Sequence, residues 1–100
     1  MINENTLNFI RFSSGFNNLK KEELAAFAEN EIFELNEYNA SEGTQGKYLY
    51  TLDDVNTNGT LKSYIIECLK LSLQTRWGNN LEYHIDRKTK YLNKLTGMQA

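Results

Sequence analysis

One hundred residues, 40% of them hydrophobic and 24% charged, describe one globular domain with no room for a second core, and they exclude a disordered chain. A mean hydropathy of −0.60 and apolar runs of five residues or fewer exclude a membrane helix. The net charge of −2 argues against a generic nucleic-acid binder, which carries a basic field.

That sum conceals a division. Residues 1–60 hold ten acids against four bases, and residues 61–100 hold seven bases against three acids. The single cysteine, Cys68, permits no disulfide within the chain, which suits a protein of the cytoplasm. With one histidine, His84, no metal site and no cofactor are expected. No basic stretch precedes an apolar run at the start, so no signal peptide is expected.

In chain order, residues 6–12 alternate apolar side chains imperfectly and read as a strand. Asn17 or Asn18 offers a helix cap. Behind it Leu24, Phe27 and Ala28 form an apolar stripe, with Glu22, Ala26, Glu29 and Asn30 opposite. Residues 32–38 read as a second strand, with Phe33 and Leu35 facing one way and Glu34 and Asn36 the other. A glycine-containing loop, 39–46, joins it to a third strand at 47–53.

Residues 60–77 form the strongest element, a helix capped by Thr60 or Asn58 and stopped by Gly78. Its apolar arc, from Leu71 through Tyr64, Cys68, Ile65 and Leu69 to Trp77, is roughly twice the ~100° stripe of an ordinary surface helix. Residues 81–86 alternate again, and residues 87–100 read as a basic helix or tail. The order strand, helix, strand, strand, helix, strand predicts an α+β fold over residues 1–100, a ferredoxin-like βαββαβ two-layer sandwich or a near variant.

No catalytic constellation emerges, and the protein is not expected to be an enzyme. His84 lies between Glu82 and Asp86, but alternation on an exposed strand produces the same pattern. Cys68, inside the apolar arc, reads as a small buried hydrophobe. Residues 53–59 begin like a calcium loop, but no bidentate glutamate follows at the required position.

Binding another protein fits better. Candidate contacts are Phe16 in the first turn, Glu34, Glu37 and Tyr38 before the long loop, Tyr48 and Tyr50 after it, and Trp77. Phe16 is read either as a staple beside the first helix turn or as a partner anchor. The acids Glu29, Glu31, Glu34, Glu37, Glu42, Asp53 and Asp54 are either a solvated surface or an imitation of a phosphate backbone. The wide arc of 60–77 is either covered within the fold or shared with a second copy in a homodimer.

The first half resembles a phage anti-CRISPR family that inhibits type II-C Cas9 by gripping its HNH nuclease domain. The similar residues are Phe12, Gly15-Phe16 and Glu37-Tyr38, over about forty residues, and the C-terminal third shows no likeness. The resemblance implies a non-enzymatic inhibitor of a host defence nuclease, carried by a phage or other mobile element and acting in the cytoplasm of a bacterial host. The alternatives are a homo-oligomeric phage structural or assembly component and a small RNA- or DNA-binding regulator.

Overall fold

The computed structural model describes residues 1–41, 49–72 and 81–97, and all its regular elements are helices: α1 (Glu4–Ser14), α2 (Lys21–Ser41), α3 (Asp54–Thr57), α4 (Gly59–Ser72) and α5 (Leu81–Thr96). Among the described residues there is no strand. The expected α+β, ferredoxin-like sandwich is therefore wrong, and each misread segment has a local cause.

The first predicted strand is α1. Asn3, in extended backbone, caps it by accepting the Thr6 N–H on Oδ1 at 2.8 Å. Gly15 ends it in the left-handed region (φ 82°), its N–H reaching the Arg11 carbonyl. Leu7, Ile10 and Ser14, spaced for one helical face, are buried, whereas Phe9 and Phe12 face outward. The apparent alternation of apolar side chains mixed a core face with a solvent face.

The predicted first helix and second strand fuse into α2. Leu24, Ala28, Ile32, Leu35 and Asn39 are its buried face. The expected stripe at Leu24, Phe27 and Ala28 does face the core, and Glu22, Ala26, Glu29 and Asn30 are exposed as expected. The helix starts later than Asn17 or Asn18. The Lys20 N–H donates to Glu23 Oε1 at 2.9 Å, half of a capping box, and the Lys20 carbonyl accepts from Leu24.

The described part of the predicted third strand has no strand partner. Its backbone at Tyr50 is pinned instead by a side chain. The Tyr50 N–H donates to Asn36 Oδ1 at 3.0 Å, and Asn36 Nδ2 donates to the Tyr50 carbonyl at 2.9 Å. One amide side chain thus offers the donor and acceptor that a neighbouring strand would have supplied. Asn56 acts similarly on the start of the chain, accepting the Asn3 N–H at 3.0 Å and donating to the Met1 carbonyl at 2.7 Å. This seats Ile2 in the core.

Helix α4 is the expected strong element. Asn58 caps it, accepting the Leu61 N–H at 3.0 Å. The predicted continuation to Trp77 and the stop at Gly78 lie outside the described residues. Every residue from Tyr64 to Leu69 is buried, as is Leu61. Helices α1, α2, α3 and α5 all pack on α4, so within the described residues its wide apolar arc is covered by the chain's own helices. Residues 81–86, predicted as a last strand, and residues 87–96 of the stretch read as a basic helix or tail form one helix, α5. It buries His84, Leu95 and Thr96 and half-buries Arg87, Lys88, Tyr91 and Leu92.

Candidate functional site

Two arrangements in this bundle hold chemically distinctive residues: the outer face of α2 and the polar junction where α4 meets α5.

The 21 residues of α2 run about 32 Å. Burial of Leu24, Ala28, Ile32 and Leu35 turns Glu22, Ala26, Glu29, Asn30, Phe33, Glu34 and Glu37 to solvent. Asn30 Nδ2 donates to Glu34 Oε2 at 3.4 Å, one turn away. In the middle stands Phe33, 63% exposed, with Glu29 and Glu37 one turn to either side. Of the predicted contact residues, Glu34 and Glu37 belong to this face, and Tyr38 lies half-buried at its flank. Phe33 was read as one side of a strand and not as a contact. The helical spacing Glu29–Phe33–Glu37 was the available signal.

The other predicted contacts are not brought here. Phe16 lies half-buried against the core in the α1–α2 turn, its N–H donating to Ser14 Oγ at 3.3 Å; with Lys20 as the α2 cap, the staple position is Leu19 and not Phe16. Tyr50 packs against the core and donates its hydroxyl to the Leu95 carbonyl at 2.7 Å. Tyr48 and Trp77 lie outside the described residues. The acidic set is likewise divided. Glu31 is half-buried near Cys68. Asp53 pairs with the N-terminal ammonium, and Asp54 accepts the Thr51 N–H at 2.8 Å. Glu42 is outside the described residues.

At the α4–α5 junction the Glu67 carboxylate, 3% exposed, meets His84 Nδ1 through Oε1 at 2.7 Å and Arg87 Nε through Oε2 at 3.3 Å. The Arg87 guanidinium also donates to Tyr91 Oη at 2.5 Å and lies over the Tyr83 and Tyr91 rings, 5.5 and 5.3 Å from their centroids. Burial opposes its charge, and the hydrogen bond to Glu67 with the nearby tyrosines outweighs this, so its pKa lies above the ordinary value. The reading of His84 as one of three alternating polar residues on an exposed strand is overturned. On a helix Glu82 and Asp86 point away from it to solvent, and its partner is Glu67, seventeen residues earlier.

A third set lies close by. Tyr64 and Glu31 are near Cys68, and Lys88 Nζ stands 5.9 Å from the Tyr64 ring centroid. Burial pushes the Cys68 thiol up to about 12; Lys88 works against this and Glu31 adds to it. Burial first, then the proximity of Cys68 and Glu31, raises the Tyr64 phenol above its ordinary value. Cys68 therefore holds its proton, as a buried thiol does.

Among the described residues no group of three or more histidine, cysteine, aspartate or glutamate side chains could hold a metal ion. None of the described helices is long and apolar enough to cross a membrane. No protein-family model matches the chain, and no characterised protein or solved structure is significantly similar to it. These comparisons lend no support to the resemblance of the first half to an anti-CRISPR family.

Proposed function

We propose that this chain is a protein-binding helical module that docks the outer face of α2 on a basic surface of another protein. The observation that carries the reading is Phe33, 63% exposed at the centre of an acidic helix face. A soluble helix gains nothing by holding a phenyl ring in water. A ring framed by charges is the usual form of an interface anchor with a polar rim. An amphipathic helix offering Glu29, Phe33 and Glu37 at successive turns suits a groove lined by lysine and arginine. The acids would speed encounter and select the partner, and the ring would supply affinity.

In its most specific form the target is a host defence nuclease in a bacterial cytoplasm, and the protein is a non-enzymatic inhibitor from a phage or other mobile element. A nuclease has the basic groove that this face requires. The same acidity weighs against direct nucleic-acid binding.

The test is recovery of partners from a bacterial lysate by the tagged chain, compared with Phe33→Ser and with a Glu34→Lys/Glu37→Lys variant. A nuclease subunit retained by the original chain, lost from both variants and released by moderate salt is the expected result. Equal recovery by all three chains, RNase-sensitive recovery, or recovery of nothing but further copies of the chain would overturn the proposal.

A further inference from the structure

We infer that the outer face of α5 is a docking surface for the acidic face of α2 on a second copy of this chain, so that self-association covers the face through which α2 meets its partner. The inference rests on the reading of α2 given above and adds a regulation to it.

The surface chemistry asked of that partner is present on this chain's own α5. With His84, Leu95 and Thr96 turned to the core, Tyr83, Arg87, Lys90 and Lys94 follow one another along the outer side of the helix. Tyr83 is 57% exposed, and Lys90 and Lys94 are both exposed. The Arg87 guanidinium lies over the Tyr83 and Tyr91 rings. The acids near this stripe are Glu82 and Asp86, at the N-terminal end of α5, and Glu67, which is buried and held by His84 and Arg87. From Arg87 to Thr96 every ionic residue of α5 is basic, and from Glu22 to Asn39 every ionic residue of α2 is a glutamate. The bases of α2 and its cap, Lys20 and Lys21, stand at the start of the helix, and Lys21 is paired with Glu4.

One chain cannot bring the two faces together. Both α2 and α5 pack on α4, and each turns the face in question away from it. Among the described residues Glu22, Glu29, Glu37, Lys90 and Lys94 are in no ion pair. Two copies make the match that one cannot. Glu29 and Glu37, about 12 Å apart along α2, bracket Phe33, and Arg87 and Lys94 are about 10 Å apart along α5. The Phe33 ring then has tyrosine rings to lie on, in offset or edge-on geometry. Pairing α2 with α2 or α5 with α5 would set like charges against each other, so the contact joins unlike faces. A nucleic acid would meet the same lysines, but it would also meet the glutamates of α2 and a net charge of −2. A second copy turns those acids into partners. A single pair of helix faces places the contact among the small, transient interfaces below ~1,200 Å², and exposed ion pairs make it sensitive to salt.

Sedimentation equilibrium of nuclease-treated protein up to about 1 mM, the range where weak association registers, tests the inference. At low salt the original chain is expected to rise above 11.6 kDa as concentration increases, and to return to that mass at about 0.5 M salt. Lys90→Glu/Lys94→Glu and Glu29→Lys/Glu37→Lys should each stay monomeric with an unchanged helical circular dichroism spectrum. Their equimolar mixture should associate one to one, because it brings an original α2 face to an original α5 face. It should not do so when the first chain also carries Phe33→Ser, which separates a specific contact from attraction between opposite net charges. A chain that stays monomeric at low salt, association that survives Lys90→Glu/Lys94→Glu, a mixture that stays monomeric or associates regardless of Phe33, or association seen only before nuclease treatment, which would give α5 to a nucleic acid, overturns the inference. Lys90→Glu/Lys94→Glu leaves α2 intact and should still recover the partner from a lysate. Self-association without any recovered partner overturns the reading of α2 as a partner face and leaves the contact between copies standing; a recovered partner without self-association does the reverse.

Discussion

Glu67 and His84 join α4 to α5 inside the bundle, Oε1 to Nδ1 at 2.7 Å, with both residues almost fully removed from solvent. Glu67 also holds Arg87, so removing Glu67 breaks two contacts and removing His84 breaks one, and disrupting such a buried pair costs up to about 3–5 kcal/mol, more for Glu67 than for His84. His84→Ala and Glu67→Ala should each lower the urea midpoint by a large fraction of the total stability. The double variant Glu67→Ala/His84→Ala should lose less than the two single changes added together. Full additivity of the single and double variants would show that the contact contributes nothing.

Ile10 and Phe12 provide the sharpest test of helix against strand in the first segment. A strand would place them on the same face, but the helix buries Ile10 completely and exposes Phe12. Ile10→Ala should cost about 2–5 kcal/mol in chemical denaturation. Phe12→Ala should stay within about 0.5 kcal/mol of the original chain. Similar losses at both positions would contradict the helix.

Asn36 holds Tyr50 by two hydrogen bonds that no other amino acid can reproduce in the same space. Asn36→Ala should cost about 1–3 kcal/mol. It should also speed amide exchange at Tyr50 in hydrogen-exchange measurements. Asn36→Asp keeps an acceptor for the Tyr50 N–H but loses the donor to its carbonyl, so it should retain amide protection while still losing stability.

Alkaline pH should destabilise the fold through Cys68 and Tyr64. The Cys68 thiol ionises at about 12 in the fold and near 9.0 ordinarily, and the Tyr64 phenol is shifted in the same direction. Between the two values the unfolded chain releases the proton and the folded chain keeps it. The Cys68 contribution is thus complete below about pH 9 and declines as pH rises toward 12, and the Tyr64 contribution begins to decline only above about pH 10, each by up to about 1.4 kcal/mol per pH unit. Urea midpoints from pH 8 to 11 should fall, and Cys68→Ala should flatten the decline. Cys68 should also resist a disulfide reagent at neutral pH until denaturant is added.

Some of this protein was written in the chain alone. The wide apolar arc of 60–77 marked α4 as the central helix, Asn58 capped it, Cys68 was destined for the interior, and the acids of α2 were set opposite Leu24 and Ala28. Tertiary structure alone decided that residues 6–12, 32–38 and 81–86 are helical. In such short stretches apolar residues two apart and three apart occur together, so both periods fit until a core exists to choose a face. At Leu7, Phe9 and Ile10 the body of α4 makes that choice, taking the first and third and leaving the second to water. The pairs Asn36–Tyr50 and Glu67–His84 were equally invisible beforehand, because partners fourteen and seventeen residues apart meet only after the helices pack.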